Sequence, residues 1–96
     1  MRPRKARREA ARDAEKLARD RVRLAALEVG GSPTRPEEIT SAALVEPIAR
    51  ALRCLVCDGD LALEEHAAEA GLRVARLQCR RCGARRSRWF RIAQPS

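Results

Sequence analysis

Two cysteine pairs, Cys54-Leu55-Val56-Cys57 and Cys79-Arg80-Arg81-Cys82, hold all 4 cysteines of a 96-residue chain. A C-x-x-C turn sets two sulfurs on one side of a tight loop. Two such turns brought together supply the tetrahedral set of soft ligands that Zn²⁺ prefers, at about 2.3 Å each. Four thiolates leave no coordination position for water, so the implied centre is structural rather than catalytic. The competing readings of the cysteines are disulfides and thiol redox chemistry. Residues 1–30 lack the apolar core of a signal peptide, which argues against an oxidising compartment and so against disulfides. A redox C-x-x-C usually stands alone near a β-α-β pattern, whereas these pairs are matched and have strand-like flanks.

The segments Cys54-Leu55-Val56-Cys57-Asp58-Gly59 and Cys79-Arg80-Arg81-Cys82-Gly83 resemble the two knuckles of the zinc-ribbon superfamily, and the resemblance covers roughly residues 48–92. It implies two knuckles on neighbouring β-hairpins clamping one zinc through Cys54, Cys57, Cys79 and Cys82. The second knuckle has a glycine directly after its cysteine pair. The first has Asp58 in that place, a residue that tolerates the left-handed backbone better than most. Iron accepts the same four sulfurs, but rubredoxin-like iron sites are packed by several aromatics and this chain is 2% aromatic. Zinc is the expected ion. Zinc ribbons occur in transcription, translation, enzymes and protein-binding adaptors, so the resemblance implies a metal and a fold more than a function.

No other concentrated chemistry is present. The chain has 1 histidine, no tyrosine, 1 tryptophan and 1 phenylalanine. It has no serine–histidine–acid set, no phosphate-binding glycine loop and no paired carboxylates with a supporting acid, so a non-enzymatic protein is expected. His66 reads as a surface turn residue rather than a ligand, because four cysteines already satisfy the ion. No run of about 20 apolar residues could span a membrane, and a soluble cytoplasmic protein is expected.

The elements that must position the cysteines are few. A module of about 45 residues with scarce large apolar side chains rarely folds alone, which is the physical reason for a metal staple. Leu61 and Leu63 alternate with polar neighbours and Leu72 to Gln78 reads as a partner strand, with His66 to Gly71 as the connection. A single helix from Leu61 to Leu77 also fits the spacing. Gly71 and the need to juxtapose four sulfurs favour the hairpin. Upstream, Ser41 to Glu46 reads as a short helical turn before Pro47, and Ile48 to Arg53 as a strand entering the first knuckle.

Residues 4–29 read as a helix. Pro3 suits its first turn, and Ala11, Ala14, Ala18, Val22, Ala25 and Val29 recur at helical spacing, widened by Leu17, Leu24 and Leu27. Gly30-Gly31-Ser32-Pro33-Thr34-Arg35-Pro36 then forms a linker. The expected organisation is a basic helix over 1–29, a Gly/Pro linker over 30–38 and a zinc-ribbon module over 39–96. The expected fold class is small α+β, with the helix followed by an antiparallel ribbon.

The formal charge is +8, and a divalent ion held by four thiolates would leave the chain at about +6. Residues 1–29 carry 10 Lys/Arg against 5 Asp/Glu, and residues 54–96 carry 8 against 5. Abundant arginine beside abundant alanine is also what a GC-rich coding sequence produces without any selection for binding. In the last strand, Ala84 to Ile92, alternation sends Arg86, Arg88, Phe90 and Ile92 to one face and Arg85, Ser87, Trp89 and Arg91 to the other. If Phe90 and Ile92 are core, Trp89 lies among arginines and can stack on an unpaired base, or else it packs on the first helix or the preceding strand. The expected role is nucleic-acid association, DNA or RNA, through Arg80, Arg81, Arg85, Arg86, Arg88, Trp89 and Arg91. The alternative is a protein-docking adaptor of a larger assembly, with the first helix as a docking or dimerising surface. A dianionic metal–thiolate centre would give part of the Arg80, Arg81, Arg85 and Arg86 cluster a second use, offsetting that charge.

Overall fold

The structure, a computed structural model, describes residues 4–93. Pro3 and the last three residues of the expected ribbon module lie outside the described residues. The chain runs α1 (Arg4–Leu27), β1 (Glu37–Ile39), a 3₁₀ turn (Ala42–Leu44), α2 (Val45–Arg50), β2 (Leu61–Glu69), β3 (Leu72–Cys79) and β4 (Arg85–Ile92). The class is α+β. The sheet has 4 strands in the order β1-β4-β3-β2, antiparallel from β2 to β4, with β1 parallel to β4. The expected antiparallel hairpin module is present as β2–β4, and the unexpected β1 adds a parallel edge that makes the sheet mixed. The extra strand is short and charged, and its pairing of Glu37 to Ile39 with Phe90 to Ile92 carries no hydrophobic alternation that a sequence reading could detect.

The hairpin that brings the cysteine pairs together is tighter than expected. β2 continues through His66 to Glu69, and only Ala70 and Gly71 connect it to β3. Both have positive φ, 50° and 80°, as two-residue turns matched to sheet twist require. A bulge at Glu64 shifts the register between Leu63 and Glu65. Without it, Glu65 would follow Leu61 and Leu63 onto the inner face. With it, Glu65 turns outward to Arg76 at 3.3 Å, and His66 turns inward, 3.4 Å from Glu46 of α2. His66 is thus a strand residue with a largely covered side chain, not a surface turn residue.

The segment Ile48 to Arg53 is also corrected, from strand to helix. Ser41 Oγ accepts from the Ala43 N–H at 3.2 Å and starts the 3₁₀ turn, which runs directly into α2. Pro47 falls within the first turn of α2, where its missing N–H has no intrahelical acceptor to lose. Val45, Ile48, Ala49 and Leu52 then lie at i, i+3, i+4 and i+7 and face the sheet. Only Arg53 retains extended pairing, as an isolated bridge to Asp60.

The core lies between α2 and the inner face of the sheet. Val45 and Ala49 meet Leu61, Ala75, Leu77, Phe90 and Ile39, and the cluster runs without a break into Cys54 and Cys79. Phe90 is fully buried, which settles the face of β4: Phe90 and Ile92 point inward, and Trp89 points outward. Trp89 lies opposite Val74 in register, and Val74 is fully buried although it faces away from α2. Trp89 therefore acts as a packing residue across β3.

α1 is a different kind of element. Alanine and long charged side chains favour the helix intrinsically, and its 24 residues extend about 36 Å. It projects from the sheet, so that the molecule measures 63 × 23 × 18 Å. Leu17, Leu24 and Leu27 are 54%, 62% and 64% exposed. Its C-terminal end is tied down: Arg35 Nη1 donates to Leu27 O at 2.8 Å, and the Gly30 N–H donates to Arg35 O at 2.6 Å. The Trp89 N–H then donates to Gly30 O at 2.9 Å, so the glycine-rich segment is stitched to the edge of β4. Among the described residues no helix is long and apolar enough to cross a membrane.

Candidate metal centre

Two loops of near-identical backbone build the site. In the first, between α2 and β2, the Asp58 N–H donates to Cys54 O at 3.0 Å and the Cys54 N–H donates to Gly59 O at 2.9 Å. In the second, between β3 and β4, the Gly83 N–H donates to Cys79 O at 3.1 Å and the Cys79 N–H to Ala84 O at 2.8 Å. Each loop thus closes by the same pair of bonds counted from its first cysteine. In each, the residue after the second cysteine has a left-handed backbone, Asp58 at φ 62° and Gly83 at φ 78°. The expectation that Asp58 fills a glycine position is met by this geometry.

Backbone N–H groups point at the sulfurs. The Val56 N–H reaches Cys54 Sγ at 3.4 Å, and those of Arg81 and Cys82 reach Cys79 Sγ at 3.3 and 3.4 Å. The loops meet so that Cys54 Sγ lies 3.5 Å from Cys82 Sγ and Cys57 Sγ lies 3.4 Å from Cys79 Sγ. All 4 sulfurs lie within 4.8 Å of one another. Ligands about 2.3 Å from a tetrahedral ion stand about 3.8 Å apart, and a disulfide needs about 2.05 Å. The set therefore matches a metal-binding cluster, and the 4 thiols are free. Gly59 closes the site from one side: a Cβ there would lie 3.1 Å from the sulfurs of both Cys57 and Cys79. Cys54 and Cys79, the first cysteine of each loop, are buried, whereas Cys82 is exposed.

The electrostatics of the sulfurs point the same way. The Cys82 N–H, aided by that of Arg81, favours the Cys79 thiolate and brings it down to about 6. Cys82 accepts from the Ala84 N–H, but desolvation and the three neighbouring sulfurs outweigh that bond and push its thiol up to about 12. Four sulfurs this close cannot share negative charge among themselves. A divalent cation held by Cys54, Cys57, Cys79 and Cys82 would remove the conflict, and its binding would displace the remaining protons.

The arginines expected at a nucleic-acid surface fall into distinct environments. Arg80 and Arg81 are exposed at the tip of the second loop. Arg85 is exposed, 4.0 Å from Glu64. Arg86 is half-buried and donates to Arg53 O at 2.7 Å. Arg88 is 15% exposed and ion-paired with Glu37, and Arg91 stands 3.8 Å from Glu38. Trp89 is half-buried over Val74. Sequence reasoning missed Arg53, which bonds to Asp60 at 2.6 Å and to Asp58 O at 3.1 Å, bracing the first loop. Asp60 O in turn accepts from the Arg80 N–H at 3.1 Å and joins the two loops. The available signal was an arginine directly before Cys54 with two aspartates just beyond Cys57.

The chain thus presents a small α+β fold with four cysteines gathered at metal-binding distance. Set beside known proteins, it matches no family model, no curated protein and no solved structure.

Proposed function

We propose that this chain is a non-enzymatic zinc-ribbon protein of the cytoplasm whose single zinc is structural, and that it associates with nucleic acid. Zinc is favoured by the all-sulfur donor set and its tetrahedral spacing. When bound, the ion would supply cross-linking and charge compensation, held by Cys54, Cys57, Cys79 and Cys82.

The observation that carries the nucleic-acid reading is the projecting α1. A helix whose cations from Arg7 to Arg23 are exposed can lie against a phosphate backbone without disturbing the sheet. Arg80 and Arg81 add free cations at the second loop, and Arg85 and Arg86 continue them along β4. Arg88 and Arg91 contribute less, because Glu37 and Glu38 already face them.

The test is the salt dependence of binding to single-stranded oligonucleotides. Each neutralised phosphate should contribute about −0.7 to the log–log slope. Replacing Arg80, Arg81 and Arg85 by glutamate should weaken binding while leaving the sheet folded. Binding undetectable at low salt, or unchanged by these reversals, would falsify the role. The protein-docking reading rests on a specific observation of its own, the exposed Leu17, Leu24 and Leu27, and predicts association controlled by those leucines with little salt dependence.

A further inference from the structure

The cleft between the C-terminal turns of α1 and the edge of β4 has features that neither packing nor the metal centre explains. It encloses 190 Å³ and is bounded on one side by Val22, Ala25 and Ala26 and at one end by Leu55 of the first loop. On the other side it is lined by five consecutive residues of β4, Arg85 to Trp89. Successive strand side chains point to opposite faces, so an unbroken run of five can line a cavity only along the strand's edge.

The direction of that edge follows from the ladder. The Ala84 O accepts from Cys79 on β3, whereas the Trp89 N–H donates away from β3 to Gly30 O. The β3–β4 register runs without a shift between these points. Hydrogen-bonding direction alternates along an antiparallel strand, so the N–H and C=O of Ser87, like those of Arg85, point into the cleft. Neither has a backbone partner there among the described residues. Unpaired backbone groups in a half-enclosed apolar slot favour a ligand that returns both a donor and an acceptor.

A second cleft of 390 Å³ adjoins the first, sharing Leu55 and Arg86, and is bordered by Arg21, Arg53, Cys54 and Asp58. Asp60 at 2.6 Å and Asp58 at 4.0 Å both face Arg53, which leaves Arg21 and the remaining donors of Arg86 as the cations facing that space. Arg86 spends one N–H on Arg53 O at 2.7 Å and keeps the other donors of its planar fork for an anion.

We infer that the two clefts together form a subsite for one nucleotide unit. The base would enter the slot edge-on to Ser87 between the α1 alanines and the strand, and its phosphate would lie against Arg21 and Arg86. An acidic peptide adding as a strand fits less well. Gly30 closes one end of the edge and the Arg53–Leu55 segment bounds the other, leaving two outward-facing residues where a strand usually pairs about five. The inference rests on the nucleic-acid reading above and specifies where an unpaired base would be held.

The experiment uses the zinc-loaded full chain with three probes: a short oligoadenosine strand, the same strand with abasic sugars in place of adenosines, and adenosine monophosphate. The oligoadenosine should bind about tenfold tighter than the abasic strand, the ratio expected for one buried base face and one paired edge. The Ser87 amide resonance should shift with the first strand and not with the second. Ala26→Leu, at an exposed helix position, should fill the slot and lower oligoadenosine binding to the abasic level while abasic binding is unchanged. Arg21→Gln should weaken both strands. Competition by the mononucleotide at the strand's own concentration would assign the slot to a free nucleotide, and competition by the strand alone would assign it to a polymer; either supports the subsite. Equal binding of both strands with an unmoved Ser87 amide overturns the subsite and leaves the charge-driven reading standing. No binding of either strand, with the Ser87 amide moved by an extended acidic peptide instead, overturns both.

Discussion

The sheet and the first helix solve opposite problems. The sheet has a small core, with Phe90, Leu77, Val45 and Val74 its largest fully buried side chains, and the four sulfurs form one end of that core. Its residues are held from several directions at once, and removing one contact leaves a cavity or an unpaired group. α1 has no such constraint beyond its last turns, and its leucines face solvent. A long helix gains little stability from propensity alone and usually draws it from packing. On the proposed reading an ion would complete the sheet, and a partner outside the chain would complete the helix.

Breaking the sulfur cluster should have the largest effect. Cys79→Ser removes the buried ligand that accepts two backbone N–H groups and sits against Gly59. Apparent zinc-binding free energies in such modules are about 10–16 kcal/mol, well above the stability of a small core, so the sheet should unfold. Amide dispersion for residues 37–92 should collapse in a heteronuclear spectrum while helical circular dichroism from α1 persists in part. Phe90→Ala comes next, at about 3–5 kcal/mol, read from the denaturation midpoint of the metal-loaded protein.

Subtler changes sharpen the contrast. Asp58→Gly should make the two loops alike by relieving the left-handed backbone at φ 62°, and should raise stability by about 1 kcal/mol. Leu24→Lys on α1 should change stability by less than about 0.5 kcal/mol, because the side chain is already 62% exposed. A loss comparable to that of Phe90→Ala would show that α1 packs on the sheet in solution and would remove the contrast.

The four-cysteine cluster was far more legible in the sequence than the surfaces around it. Two C-x-x-C spacings specify ligand type and number, and a glycine or aspartate after each pair specifies the turn, so the cluster needs little tertiary information. The hairpin followed from Gly71 and from the sulfurs themselves. What escaped depended on contacts across the chain. The bulge at Glu64 decides whether Glu65 or His66 faces α2, and nothing local marks it. Helix α2 was hidden by Pro47, although Val45, Ile48, Ala49 and Leu52 carried the helical period. Strand β1 is held by its place beside β4 and by the Glu37–Arg88 ion pair, which joins residues 51 apart in sequence. That same pair is why a stripe of arginines could not be read as a free positive surface.

If the ion holds the four sulfurs, metal binding and folding of the sheet should be one cooperative event. Titrating zinc into metal-free protein while following the amide resonances of β2, β3 and β4 decides this. Dispersion should be poor without metal and the folded spectrum complete at one zinc per chain, with the α1 resonances changing least. A sheet fully formed before any zinc is added, or one that needs more than one equivalent, would contradict it.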